Sequence, residues 1–472
     1  MGRRPLKLTV IGTGYVGLVS GVCLAEIGVD VVCVDSDAGK IERIRKGETP
    51  IHENGLESLL AKHIGRRLTA TTAAEAALLD SSVSMIAVGT PFDGERIDLS
   101  QVEAAARKIG EVLRTRDDYH VVVVKSTVIA GTTAGPVREI LEAVSGKRAG
   151  IDFGLAMNPE FLREGAAVAD FMNPDRIVIG GIDGRSIATV RKLYRPFIER
   201  GVPIFETNCD TAEMIKYTNN ALFATMISFS NEIGNLCARL PGVDVLDVMA
   251  GVHLDKRLSP RLATGETIRP RMLEYLAAGC GFGGSCFPKD VKALAAHARA
   301  LALEPRMLDS LIEVNRTQFL ELVRQLERHI PVLAGSRIAV LGLAFKPESD
   351  DIRESPAISL IEALIARGCS ISAFDPLAAA GFRRKFPNWP VRYGNSVEAT
   401  IEHAEAVVIV TRWKEFGRLP ALVAGMVTQP LIVDGRRMFR PGDFPRYAGI
   451  GVETNDSNIS VHPNIKVAGL TP

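Results

Sequence analysis

Cys286 stands in the run Gly279-Cys280-Gly281-Phe282-Gly283-Gly284-Ser285-Cys286-Phe287-Pro288-Lys289-Asp290, a thiol among glycines with a cation and a carboxylate close behind it. Glycines let a ligand approach the backbone closely. Lys289 and the helix start marked by Pro288 would both favour a thiolate, the form that attacks carbonyls. Cysteine also serves as a small buried hydrophobe, so on type and spacing alone Cys286 fits either role and Cys280 fits the second. A second constellation is Gly12-Thr13-Gly14-Tyr15-Val16-Gly17, between a strand run and a helical run, with Asp35 ending the next strand eighteen residues after Gly17. That context turns a common glycine pattern into a dinucleotide fingerprint. Gly12 permits the tight turn, Gly14 lets a pyrophosphate reach the helix N-terminus, and Gly17 allows close helix–strand packing. Asp35 would accept hydrogen bonds from the adenosine ribose and repel a 2′-phosphate, which selects NAD over NADP. Thr90 in Gly89-Thr90-Pro91 and Thr127 in Ser126-Thr127-Val128 fall at strand ends, either as crevice residues of an open sheet or as plain loop turns.

These groups need a scaffold, and the pattern supplies one. Leu6 to Ile11 is a buried-strand run, Tyr15 to Ile27 a helix and Asp30 to Val34 a second strand, together a βαβ unit. Strands at Val83 to Val88, His120 to Lys125 and Ile177 to Ile179 extend it into a doubly wound α/β domain with a parallel sheet, residues 1–205. Thr211 to Leu240 reads as one long helix, with Pro241-Gly242 closing it, that connects domains and offers an apolar face to another subunit. The central region spans 206–325. Strands Arg337 to Leu341, Ser370 to Phe374, Ala406 to Val410 and Leu431 to Val433, with a helix Ala357 to Arg367, form a second Rossmann-like domain, 326–472. It echoes the first down to an acid, Asp375, after its second strand, but its turn, GLAFKP, carries Gly342 alone, so it is read as holding a different phosphate ligand.

Composition narrows the classes. The chain has 472 residues, 46% hydrophobic and 24% charged, with 56 basic and 55 acidic side chains, which is globular and gives no electrostatic footprint for nucleic acid or an anionic membrane. The seven cysteines are scattered, with no CxxC pair and no zinc-ligand spacing, so no metal is expected and a reducing cytoplasm fits. The basic start, Met1 to Arg4, precedes an apolar run broken by Gly12, Gly14 and Gly17 without a cleavage site, which argues against a signal peptide.

GFGGSCFPKD, with GTGYVGLVSG, VGTP, KSTV, NPEFLREG, KYTNN, LGLAFKPESDDIRES and VDGR, resembles the UDP-glucose 6-dehydrogenase family of nucleotide-sugar dehydrogenases, in family order from residue 7 to about 440. The resemblance implies oxidation of the C6 hydroxyl of a nucleotide-linked glucose to a carboxylate with two NAD per sugar, through a thiohemiacetal and a thioester on Cys286. It implies Lys216 and Asn220, at i, i+4 of the long helix, as oxyanion and water-positioning groups. Asp290 would work with Lys216 on proton transfer, Glu160 would be the base for thioester hydrolysis, and Thr127 would order the water. Tyr15, Val16, Lys40, Thr90, Glu164, Lys289 and Arg353 join the glycines and Asp35 as cofactor contacts. Phe161 and Leu162, Arg257, the loop Tyr275, Gly279, Gly281, Phe282 and Gly283, and Phe345, Lys346 and Arg436 would hold the sugar nucleotide, in a homodimer or larger homo-oligomer.

One stretch departs from the pattern. Leu258 to Glu274 is longer than in common members and adds Arg261, Arg269 and Arg271 as rivals to Arg257 for the arginine that enters the neighbouring subunit's site. Related branches oxidise UDP-N-acetylhexosamines, GDP-mannose or dTDP-glucose, and FGGSCFPKD sits nearer the glucose type. A single-step β-hydroxyacid dehydrogenase shares the layout but needs no cysteine. A non-enzymatic NAD-binding protein needs none of Lys216, Asn220, Cys286 and Asp290.

Overall fold

The computed structural model describes residues 6–452, so the basic start, Met1 to Arg4, and the end of the 326–472 region lie outside the described residues. Apolar β-rich runs form eight strands of a first sheet: β1 (Lys7–Ile11), β2 (Asp30–Val34), β3 (Leu68–Thr71), β4 (Val83–Ile86), β5 (Val121–Val124), β6 (Gly154–Met157), β7 (Ile177–Gly181) and β8 (Ile204–Thr207). Their order is β3-β2-β1-β4-β5-β6-β7-β8. Alternation along the central strands feeds two cores. Leu8, Val10, Val83, Met85, Val121 and Val123 pack with Leu18 and Val22 of the helix Tyr15–Glu26, whereas Ile86, Val122, Val124 and Leu155 pack with Val102, Ile109 and Leu113 of the helix Ser100–Thr115. Helices on both faces make the sheet doubly wound.

The sheet is not parallel throughout, as the strand pattern led one to expect. β6 and β7 pair antiparallel, Ala156 with Gly181 and Met157 with Gly180. The connection between them is tied down where β6 ends: Asn158 Nδ2 bonds Val178 O at 2.8 Å, and the Gly165 and Ala167 amides bond the Glu53 carboxylate at 2.7 and 2.9 Å. β7 therefore starts at the end of the sheet where β6 stops, and NPEFLREG stays over the carboxyl edge, where open α/β sheets bind ligands.

The second sheet is parallel, β9 (Arg337–Leu341), β10 (Ser370–Phe374), β11 (Val391–Tyr393), β12 (Ala406–Ile409), β13 (Leu431–Asp434) and β14 (Tyr447–Gly449), in the order β11-β10-β9-β12-β13-β14. One compact unit takes the chain up to Thr225 with Gly283–Ile312 and Glu348–Glu354; the other takes Met226–Phe282, Glu313–Pro347 and the chain from Ser355. The long helix, Cys209–Cys237, starts in one unit and ends in the other. No helix of the described residues is long and apolar enough to cross a membrane.

Candidate active site

The turn after β1 is built for a dinucleotide. Gly12 has φ +97°, and a Cβ there would lie 2.7 Å from Ala87 O; a Cβ at Gly17 would lie 2.0 Å from Gly12 O. At Gly14 a Cβ would meet nothing within 4 Å, and as N-cap of Tyr15–Glu26 it places no capping side chain over the first-turn amides, which stay available to a pyrophosphate. Val16 is half-buried beside them. Asp35 Oδ2 accepts Thr13 N at 2.8 Å and Thr13 Oγ1 at 2.7 Å, Oδ1 accepts Asp37 N at 3.0 Å, and Lys40 Nζ lies 3.9 Å away. Burial pushes the Asp35 carboxyl up, but the Asp37 amide, Thr13 and Lys40 outweigh it and hold the group below its ordinary value. It is charged at neutral pH and partly exposed, as a ribose acceptor must be. Tyr15 OH donates to Glu53, the carboxylate that also holds Gly165 and Ala167. Thr90 Oγ1 donates to Thr127 O at 2.8 Å, which joins the tips of β4 and β5.

Around Cys286 the first unit gathers buried charges. Cys286 is the N-cap of the helix Phe287–Ala300. Lys216 Nζ bonds Glu160 Oε1 at 2.8 Å, both side chains about 5% exposed or less. Asn220 Nδ2 donates to Asp290 Oδ2 at 2.7 Å, and Lys289 Nζ pairs with Asp290 Oδ1 at 2.6 Å. Lys216 thus bonds Glu160 rather than Asp290, and Lys289 is turned to its neighbour Asp290. Burial opposes the charge on Lys216, but Glu160, Cys286 and Asp290 outweigh it and raise its pKa; burial likewise pushes Glu160 up, while Lys216 and the Leu162 amide pull it below its ordinary value. The pair is ionised. Phe161 lies under Lys216, with Nζ 5.5 Å from the ring centroid, and under Arg176 at 4.0 Å. Glu164 Oε1 accepts from Ser285 Oγ at 3.2 Å and from Arg353 Nη2 at 3.1 Å, and Gly284 N donates to Arg353 O at 2.8 Å. The thiolate expected from Lys289 and the helix start is not what the geometry favours. Burial pushes the Cys286 thiol up; Lys216 is the cation that opposes this, and Glu160 and Asp290 add to the push.

In the second unit the glycine loop is pinned from several sides. Gly279 N donates to Asn231 Oδ1 at 2.8 Å, Gln318 Nε2 to Gly279 O at 2.8 Å, and Phe282 N to Asn315 Oδ1 at 2.8 Å. Arg436 donates Nη1 to Gly281 O at 2.9 Å and Nε to Val410 O at 2.7 Å. Gly281 needs its φ of +101° to pass Asn315, whose Oδ1 would lie 3.0 Å from a Cβ. Gly283 continues the loop into the first unit. Lys346 lies over the Phe345 ring at 5.4 Å, and Tyr275 ends a short 3-10 turn, Arg271–Tyr275. Arg257 is exposed and pairs with Asp255 at 2.6 Å. Within the stretch Leu258 to Glu274, Pro260 to Ile268 forms a small hairpin, closed by Leu262 N to Glu266 O at 2.7 Å and Ile268 N to Pro260 O at 2.9 Å.

Family models match three successive parts of the chain: the NAD binding domain of the UDP-glucose/GDP-mannose dehydrogenase family over residues 6–198, its central domain over 210–317 and its UDP binding domain over 339–441. The chain belongs to the UDP-glucose/GDP-mannose dehydrogenase family. A UDP-glucose 6-dehydrogenase of Haloferax volcanii is 41% identical over 436 residues, 92% of this chain and 97% of the relative. A GDP-mannose 6-dehydrogenase of Azotobacter vinelandii is 41% identical over 78% of this chain and 81% of its own length. A solved UDP-glucose dehydrogenase from Pyrobaculum islandicum superposes with a TM-score of 0.85 at 37% identity, covering 96% of this chain and 99% of that one. As a member of this family the chain is an NAD-dependent dehydrogenase, and the open turn at Gly14 with the ionised Asp35 beside it fits that cofactor.

The family motifs name the groups at the reacting centre and pass over those that hold them. Glu53, Glu213, Asn231, Asn315 and Gln318 each bond the backbone of a site loop. Lys125 is buried, donates to Asn158 Oδ1 at 3.0 Å and Asn158 O at 3.3 Å, and is pushed by burial down to about 8, with Glu160 the carboxylate that favours its charge. Glu213, Asn231 and Asn315 signal themselves only as polar residues on helices, Glu53 and Gln318 lie in connecting segments without such a signal, and Lys125 is the first residue of KSTV.

Proposed function

We propose that this enzyme oxidises UDP-glucose at C6 to UDP-glucuronate in two steps, four electrons in all, on Cys286. The buried set Lys216, Glu160, Asn220 and Asp290 around a cysteine carries this reading, because binding alone would not repay the cost of burying two ion pairs. NAD, when bound, accepts the hydride in each oxidation. In the first, Lys216 holds the C6 oxygen as its proton passes to Asp290 and on to solvent, and Asn220 on Asp290 orients that oxygen; a cation there lowers the barrier by about 3 kcal/mol. Cys286 then adds to the aldehyde: the S–C bond forms and the thiol proton passes to the carbonyl oxygen. Loss of that proton to Asp290 with the second hydride leaves a thioester. Water ordered by Thr127 and deprotonated by Glu160 attacks the acyl carbon, the S–C bond breaks, and Cys286 takes that proton back from Glu160. A covalent adduct keeps the aldehyde in place while the cofactor is exchanged.

In this reading residues 1–205 hold NAD, 206–325 carry the cysteine loop and the subunit contact, and 326–472 hold the sugar nucleotide through Phe345, Lys346 and Arg436, the last bonded to Gly281 O of the loop. The long helix carries Met214, Leu222, Phe229 and Leu236 exposed at near-heptad spacing, which supports a homodimer through that face. Seven free cysteines support a reducing cytoplasm. The same chemistry on another nucleotide sugar is the second reading, favoured by the GDP-mannose relative. UDP-glucose, GDP-mannose, dTDP-glucose and UDP-N-acetylglucosamine supplied separately with NAD decide between them. The expected outcome is a product from UDP-glucose that has gained one oxygen and lost two hydrogens by mass; such a product from GDP-mannose alone would move the assignment to the second reading.

A further inference from the structure

The segment after Thr127 is held by the same helix that carries Lys216. Glu213 lies one turn before Lys216 and is fully buried. Its Oε2 accepts the backbone N–H of Gly131 at 2.8 Å, and its Oε1 accepts that of Thr133 at 2.8 Å. One turn on, Tyr217 is fully buried and packs in a cluster with Ile129 of the same segment. Glu213, Lys216, Tyr217 and Asn220 therefore fall at i, i+3, i+4 and i+7, so one helix face grips the Thr127 loop and presents the reacting groups. The loop cannot fix itself. Gly131 has φ +91° with open space around it, and the chain then enters a π-type turn, Thr133–Val137, kinked at Gly135 and holding Pro136.

We propose that Glu213 is a positioning residue for this site: its carboxylate clasps the Gly131 and Thr133 amides and so keeps Thr127 in register with Lys216 and Glu160. This rests on reading Thr127 as the group that orders the hydrolytic water. A carboxylate can accept from both amides at once, whereas a protonated carboxyl carries an O–H on one oxygen and loses one of the two bonds. Burial pushes Glu213 up to about 7, against the Thr133 and Gly131 groups that favour its charge, and Asp210 adds to the push. Cys209 and Tyr217, also on the long helix, feel its charge as well, and the loop turns backbone amides toward it. The clasp is complete above about pH 7 and incomplete below it.

Hydrogen exchange of residues 128–134 in the full-length enzyme, at pH 6 and pH 8 and corrected for the chemical exchange rate, reads the clasp directly. Turnover from pH 5.5 to 9, with the acyl group on Cys286 followed by intact mass, reads its consequence. The wild type should protect the segment at pH 8, lose about tenfold at pH 6, and lose kcat toward acid with a midpoint near 7. Glu213→Gln should show the unprotected state at both pH values. It should also show about tenfold lower kcat with acyl-enzyme accumulating, an unchanged KM for the sugar nucleotide and no midpoint near 7. Glu213→Asp, which keeps the charge, should restore the pH dependence. Equal protection at pH 6 and 8 in the wild type overturns the proposal even if no variant folds, and so does a Glu213→Gln enzyme with wild-type kcat and pH profile. Thr127→Ala separates the two ideas. If it releases product at the wild-type rate while loop exchange still follows Glu213, the water-ordering reading falls and the clasp stands. If it is slow while Glu213→Gln is normal, the clasp falls and the reading stands.

Discussion

Gly12 and Gly342 hold the same place in two sheets, at φ +97° after β1 and +96° after β9, with Asp35 and Asp375 following β2 and β10. The acids then part company. Asp375 is 3% exposed and spends Oδ2 on Leu343 N at 2.7 Å, Ala344 N at 3.0 Å and Trp413 Nε1 at 3.1 Å, and Oδ1 on Leu377 N at 2.9 Å and Ala378 N at 2.8 Å. No lone pair is left for a ribose. Asp35 serves Thr13 and Asp37 and stays partly exposed. Gly14 opens to solvent, whereas Ala344, two residues past Gly342, is fully buried. The first helix begins at Tyr15, directly behind its turn; the later one begins at Pro356, well beyond Gly342. Strand, turn and acid thus mark a fold, and only unspent lone pairs beside an open turn mark a cofactor site.

The contrast can be broken by substitution. Cys286→Ser should cut carboxylate formation by about three orders of magnitude or more while NAD binding, titrated by fluorescence, stays within twofold; sustained turnover would remove the covalent route. Asp375→Ala should cost about 3 kcal/mol in urea unfolding, because five donors lose their acceptor, and should leave NAD affinity unchanged. Asp35→Ala should do the reverse, weakening NAD about tenfold or more and relaxing discrimination against NADP in steady-state kinetics with a much smaller loss of stability. The mildest pair is Gly14→Ala and Gly342→Ala. The first should weaken NAD a few-fold at an unchanged melting temperature. The second should lower the melting temperature without touching NAD, since a Cβ there would lie 2.4 Å from Thr411 Cβ.

Much of this was legible because it is local. β2, β9 and β10 fall where their apolar runs do, and the glycine fingerprint and Asp35 lie within one βαβ unit. β3 and β8 were missed because each is four residues long with exposed positions, and β6, Gly154–Met157, lacks β-branched residues. The antiparallel β6–β7 pair is set by the tethering of Asn158, Gly165 and Ala167, which no periodicity encodes. At the site, motifs bring Lys216, Asn220, Asp290 and Glu160 to mind, but not that Lys216 bonds Glu160 or that burial outweighs Lys216 at the Cys286 thiol. Those depend on side chains far apart in the chain meeting in the buried interior. Glu53, Glu213 and Asn231 escape notice for the same reason: each bonds backbone groups 48 or more residues away.

The most direct test of two oxidations at one cysteine is the number of NADH formed per UDP-glucose consumed by the wild-type enzyme. Two NADH for each sugar, with UDP-glucuronate as the product, is the expected result. One NADH with a released aldehyde would contradict the account and leave Cys286 as an ordinary half-buried thiol.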